Sequence, residues 1–198
     1  MVGRLASRIT KRWIGRNIIT SDVYDCYVYG WEIILLTLLE ITNILIIGIC
    51  TNSLGNALIF LVTFVLVRKY TGGYHADTCL KCNVCLVIIY LLNLYVTFNY
   101  GADITTLIII TMVSGLIIIY KIGPIENINK QLSNDQKRLN KKISLFLYFG
   151  CCAVGFILSK LNVYMAITMN ITLIEILALM LIAKIESHMA RIKSGICK

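Results

Sequence analysis

Six long apolar runs, about 26–50, 54–67, 84–100, 104–120, 143–159 and 163–184, fill most of the chain. A bilayer core takes roughly 20 predominantly apolar residues per helical span. It holds no water to satisfy backbone N–H and C=O groups, so each run must close its own hydrogen bonds as a helix. Of 198 residues, 58% are hydrophobic and 15% charged, whereas a soluble domain is about 45–50% apolar. The pattern implies an all-α integral membrane protein with six transmembrane helices, residues 1–198 forming a single membrane domain. The second run is short. It must borrow flanking residues or stop partway through the bilayer.

Charge sets the expected orientation. Lys plus Arg number five before the first run, three in 68–83, six in 121–142 and four from 184 onward, which is 18 of the chain's 19. The alternate connectors hold only Lys160. Basic connectors stay cytoplasmic. Connectors 68–83 and 121–142, the tail 185–198 and both termini are therefore expected on that side. Before the first run, Val2, Leu5, Ile9 and Trp13 recur every three or four positions, with Arg4, Arg8, Lys11 and Arg12 on the other side. Residues 1–20 thus read as an N-terminal amphipathic helix lying on the membrane interface against anionic headgroups. Basic residues run throughout them, unlike a cleavable leader. Topology and headgroups absorb the net charge of +9, and no nucleic-acid partner is expected.

Glu32, Glu40 and Glu175 lie within the apolar runs. A carboxylate in hydrocarbon is costly, so each should face the protein interior or water. A substrate or proton site and a helix-packing hydrogen bond both fit them. Four of the eight cysteines, Cys26, Cys50, Cys151 and Cys152, lie in or beside apolar runs and read as small hydrophobes. Cys79, Cys82 and Cys85 require another account.

They fall in "RKYTGGYHADTCLKCNVC", residues 68–85. Gly72 and Gly73 permit a tight turn and close backbone approach. His75 lies near the cysteines, and Arg68, Lys69 and Lys81 add positive charge. A nucleophilic cysteine needs thiolate character, which neighbouring cations favour. A histidine in reach can take the thiol proton and later protonate a leaving amine. The segment therefore holds the parts of a Cys–His peptidase. On one continuous helix His75 and Cys79 would be neighbours at i,i+4. Cys82, seven positions from His75, would lie about 10.5 Å along the axis. Helical geometry favours Cys79; Cys82 requires a broken or re-entrant segment after the second span.

The run "RKYTGGYHADTCLKC" resembles the signature of the accessory gene regulator B (AgrB) family of bacterial membrane cysteine endopeptidases. That pattern has an arginine, a glycine pair, histidine–alanine and a cysteine seven residues after the histidine. Arg68, Gly72, Gly73, His75, Ala76 and Cys82 match it in order and spacing. "GPIENINKQL" resembles the family's connector. The resemblance implies Cys82 as nucleophile and His75 as general base and acid. Arg68, Gly72 and Gly73, with Lys69 and Lys81, become supporting or substrate-binding residues. It also implies a multi-pass protein of the bacterial cell membrane. The implied reaction cleaves the tail from an AgrD-like autoinducing-peptide precursor through a thioester and promotes cyclisation to a thiolactone or lactone. No cofactor or metal is implied, and a homodimer is expected.

Three other readings compete. "CLKC" at 79–82 is also the pair of a thiol–disulfide oxidoreductase, although charge places it on the reducing side. His75, Cys79, Cys82 and Cys85 have spacings short enough for a metal, although one unbroken helix cannot wrap an ion. A non-enzymatic transporter is the default for a six-span chain without the motif.

Overall fold

The computed structural model describes residues 2–72, 79–125 and 133–196, and among them the side chains of 2–72, 82–125 and 133–189. Within these, α1 (Val2–Ile14) leads through a 3-10 turn (Ser21–Val23) into α2 (Tyr24–Cys50). Then follow α3 (Leu54–Thr71), α4 (Cys79–Asn99), α5 (Ile104–Ile122), α6 (Asn134–Leu161) and α7 (Val163–Ile196). Among the described residues six helices are long and apolar enough to cross a membrane, as the sequence predicts, and the N-terminal helix precedes them. The chain is a multi-pass membrane protein.

Helix α7 is the hub. Of its spanning segment 61% is buried, against 17% for α2, and it packs on α3, α4, α5 and α6. The core gathers Phe60, Phe64 and Val67 of α3, Leu86 and Tyr90 of α4, Tyr148 of α6, and Leu173, Ile176 and Met180 of α7. Large side chains such as Leu38, Val62, Ile109 and Phe146 point outward. In water such a surface would drive aggregation; in a bilayer it meets lipid tails as apolar as itself.

Two details explain helix limits that apolarity alone does not set. The second apolar run ends at 67, yet α3 continues through Arg68, Lys69 and Tyr70 to Thr71. Its 18 residues reach about 27 Å, close to the bilayer core. The run completes its span by borrowing the motif's own first residues. Helix α6 starts nine residues before its apolar run because Ser133 forms a capping box. The Gln136 N–H donates to Ser133 Oγ (3.2 Å) and the Ser133 N–H to Gln136 Oε1 (3.1 Å). Lys137, Arg138, Lys141 and Lys142 therefore ride on a helix rather than a loop.

Two of the three intraspan acids acquire packing partners. A Cβ on Gly3 would lie 2.5 Å from Glu32 Oε1, so the α1 start packs against the α2 carboxylate, which would have to shift to admit a side chain there. Glu175 Oε2 accepts from Asn93 Nδ2 at 3.0 Å. Asn93 Nδ2 also lies 3.1 Å from Thr172 Oγ1, and Thr97 meets Thr168 at 3.2 Å. This seam ties α4 to α7 through Asn93, Thr97, Thr168 and Thr172, which have essentially no exposure, and the partly exposed Glu175.

Candidate active site

The site is built at the end of α3 and the start of α4. Arg68 lies in the last turn of α3, partly exposed, its guanidinium 5.0 Å above the Phe64 ring. One turn on, the Gly72 N–H donates to the Arg68 carbonyl at 3.1 Å and closes the helix. Gly72 takes φ 70 and ψ −164, a backbone region essentially restricted to glycine.

A second stretch is locked onto this turn. The Ile125 N–H donates to the Thr71 carbonyl at 3.0 Å. A Cβ on Gly72 would overlap the Ile125 carbonyl oxygen. The segment Gly123–Pro124–Ile125, which begins the family-like connector, thus crosses the glycine turn of the first motif. The two stretches are about 50 residues apart in sequence.

Cys82 lies near the start of α4, partly exposed, with Cys85 one turn further on. The Arg68 guanidinium acts electrostatically on the sulfurs of Cys82 and Cys85 and on the Glu40 carboxylate of α2. Three helices therefore bring a cation, two thiols and an acid into one field. The α2–α4 register is set one turn from Glu40, where Asn43 Nδ2 donates to Asn83 Oδ1 at 3.4 Å. Asn83, next to Cys82, is 5% exposed.

Of the sequence-predicted site residues, Arg68 and Gly72 share the end of α3, and Cys82, near the start of α4, lies within the electrostatic reach of Arg68. Lys69 is exposed and reaches over the Tyr70 ring at 5.5 Å. Gly73 and His75 lie outside the described residues, as do the side chains of Cys79 and Lys81. So does the broken or re-entrant path predicted between His75 and Cys82, except that α3 ends at Thr71 and α4 is assigned from Cys79. Among the described residues no group of three His, Cys, Asp or Glu side chains converges on a common point.

Sequence reasoning did not single out Asn43, Asn83 or Ile125. Asn43 carries a signal in hindsight: it lies three positions after Glu40 on the same apolar helix, so two polar groups share one face. Ile125 carries none, because it contributes through its backbone.

The sequence model of the family described as Accessory gene regulator B matches residues 3–182. The chain belongs to the accessory gene regulator B family. A Clostridium perfringens (strain SM101 / Type A) protein named as AgrB-like is 26% identical over 151 residues, covering 72% of this chain and 69% of that one. A second AgrB-like protein, from Clostridium perfringens (strain 13 / Type A), is 29% identical over 121 residues, covering 58% and 56%. No solved structure matches. The AgrB match takes in both motif stretches and all six spanning helices up to Ile182 in α7.

Proposed function

We propose that this AgrB-family protein is a membrane cysteine endopeptidase acting on an AgrD-like autoinducing-peptide precursor. The observation that carries the reading is the family match over residues 3–182, with Arg68 and Gly72 at the end of α3 and Cys82 near the start of α4. A cation near a thiol is what a cysteine peptidase needs to hold its nucleophile as a thiolate.

In this reading His75 takes the Cys82 proton as sulfur attacks the peptide carbonyl. The C–N bond breaks, a C–S thioester forms, and His75 returns the proton to the departing amine of the tail. The thioester retains much of the peptide bond's free energy. A cysteine within the precursor then attacks it, forms the thiolactone and returns the proton to Cys82; a serine gives the lactone. No water is consumed, and a site at the edge of the bilayer limits hydrolysis.

The basic arm at the start of α6, with Lys137, Arg138, Lys141 and Lys142, complements an acidic tail. Lys141 illustrates how such a side chain is held at the helix end: Nζ donates to the Tyr120 carbonyl and lies 4.4 Å over the Tyr120 ring. The alternation of basic connectors supports cytoplasmic termini and a cytoplasmic active site, and a homodimer fits the family reading.

The test is precursor cleavage in membranes. Cys82→Ser and His75→Ala each abolish it while insertion is unchanged, and wild-type protein yields a hydroxylamine-sensitive acyl-enzyme on Cys82. Full cleavage by Cys82→Ser sinks the assignment.

A further inference from the structure

Cys82 and Cys85 form a C-x-x-C pair, "CNVC", inside α4. We propose that this pair is an oxidation site: a hydroperoxide oxidises Cys82, and Cys85 resolves the product to a disulfide that small thiols reopen. The bridge itself stands on the placement of the two sulfurs. Its effect on cleavage rests on the reading of Cys82 as the nucleophile.

Residues three apart on a helix share a face, with Cβ atoms about 5–6 Å apart. Cys82 and Cys85 have that spacing within α4, both stand as thiols, and both are partly exposed. Asn83, between them, is buried and accepts from Asn43 of α2 at 3.4 Å, which fixes the rotation of this turn. The Arg68 guanidinium acts electrostatically on both sulfurs. A solvent-accessible thiol near a cation, with a second thiol beside it, is the arrangement of a redox-sensing cysteine. The remaining described cysteines lack it. Cys26 and Cys50 lie near opposite ends of α2. Cys151 and Cys152 are adjacent on α6, where neighbouring side chains point apart, and Cys152 is buried.

A disulfide brings Cβ atoms to roughly 3.5–4.5 Å, so the pair must close by about 1–2 Å. Cys82 ends the first turn of α4. The opening N–H groups of a helix have no intrahelical acceptor, so the backbone yields most easily there.

The steps balance as follows. Cys82 gives up its proton, and its sulfur attacks the O–O bond of hydrogen peroxide. One oxygen passes to sulfur as the sulfenic acid, and the departing hydroxide takes the proton as water. The Cys85 sulfur then attacks the Cys82 sulfur. The S–S bond forms, and the sulfenic hydroxyl leaves with the Cys85 proton as a second water. Two thiols and one peroxide give one disulfide and two waters. Hydrogen peroxide is small and uncharged, so it reaches a sulfur at the bilayer edge. Without a resolving thiol, a sulfenic acid goes on to the irreversible sulfinic acid.

The experiment treats the full-length protein in membranes with hydrogen peroxide, then reduces half of each sample with dithiothreitol. Precursor cleavage is measured, and peptides are weighed after digestion with trypsin and chymotrypsin. Cuts after Lys81 and Leu86 place Cys79 on one peptide and the Cys82–Cys85 pair on another. The pair's peptide is expected two hydrogens lighter, with cleavage down at least about tenfold, and dithiothreitol is expected to reverse both. In Cys85→Ser, Cys82 is expected to gain two oxygens, and cleavage, referred to the variant's own untreated rate, is not restored. Wild-type protein with an unmodified Cys82, or with Cys82 two oxygens heavier, overturns the proposal. A bridge joining the peptides on either side of Lys81 overturns it in favour of Cys79 as the resolving thiol. A Cys82–Cys85 bridge with undiminished cleavage supports the pair and overturns Cys82 as the nucleophile.

Discussion

Replacing Gly72 by alanine tests whether the two motif stretches form one unit. At φ 70 and ψ −164 an alanine is strained, at a cost on the order of 1–3 kcal/mol. Its Cβ would also overlap the Ile125 carbonyl oxygen, so the connector must move. That displaces the hydrogen bond from the Ile125 N–H to the Thr71 carbonyl, worth about 0.5–1.5 kcal/mol. The combined loss is about 1.5–4.5 kcal/mol, concentrated at a turn four residues from Arg68. A catalytic group misplaced by an ångström costs about 100-fold in rate. Gly72→Ala should therefore lower precursor cleavage by about that factor and lower the melting temperature in detergent, with membrane insertion unchanged. Gly150→Ala is the control, because nothing lies within 4 Å of its Cβ position. Wild-type cleavage and melting in Gly72→Ala would refute the reasoning.

Arg68→Gln should slow maleimide labelling of Cys82 by at least about tenfold at neutral pH, with Arg68→Lys in between; equal labelling rates would remove the cation from the mechanism. Asn93→Ala should cost about 1–2 kcal/mol by removing the donor that Glu175 and Thr172 share, read as a fall in melting temperature, whereas an unchanged melting curve would show the α4–α7 seam to be energetically idle. Cys79→Ala should retain most cleavage activity; its loss in a folded variant would point to Cys79 as nucleophile or to a Cys79–Cys82 redox pair.

The spans were legible because each is a local property. A run of apolar residues must be helical in a bilayer whatever its neighbours do, and the six runs reappear as six spanning helices. The limits of α3 and α6 were less legible. They depend on a glycine at a positive φ and on a capping box, which a hydropathy pattern does not register. Within the site, the first motif was readable because its residues lie close together in sequence. The contribution of Ile125 was not, because a backbone N–H and carbonyl carry no residue-type signature.

Composition, charge clustering and one motif thus specified a six-span membrane protein of the accessory gene regulator B family, since these depend on transfer energies and spacing along the chain. Packing decided the rest. It placed Glu32 against Gly3 and Glu175 against Asn93. It set Glu40 within the field of Arg68, and the second connector on the Gly72 turn. Three acids that looked alike in sequence acquired three different surroundings, because the rotation of each helix about its axis is fixed by its neighbours rather than by its own hydrophobicity.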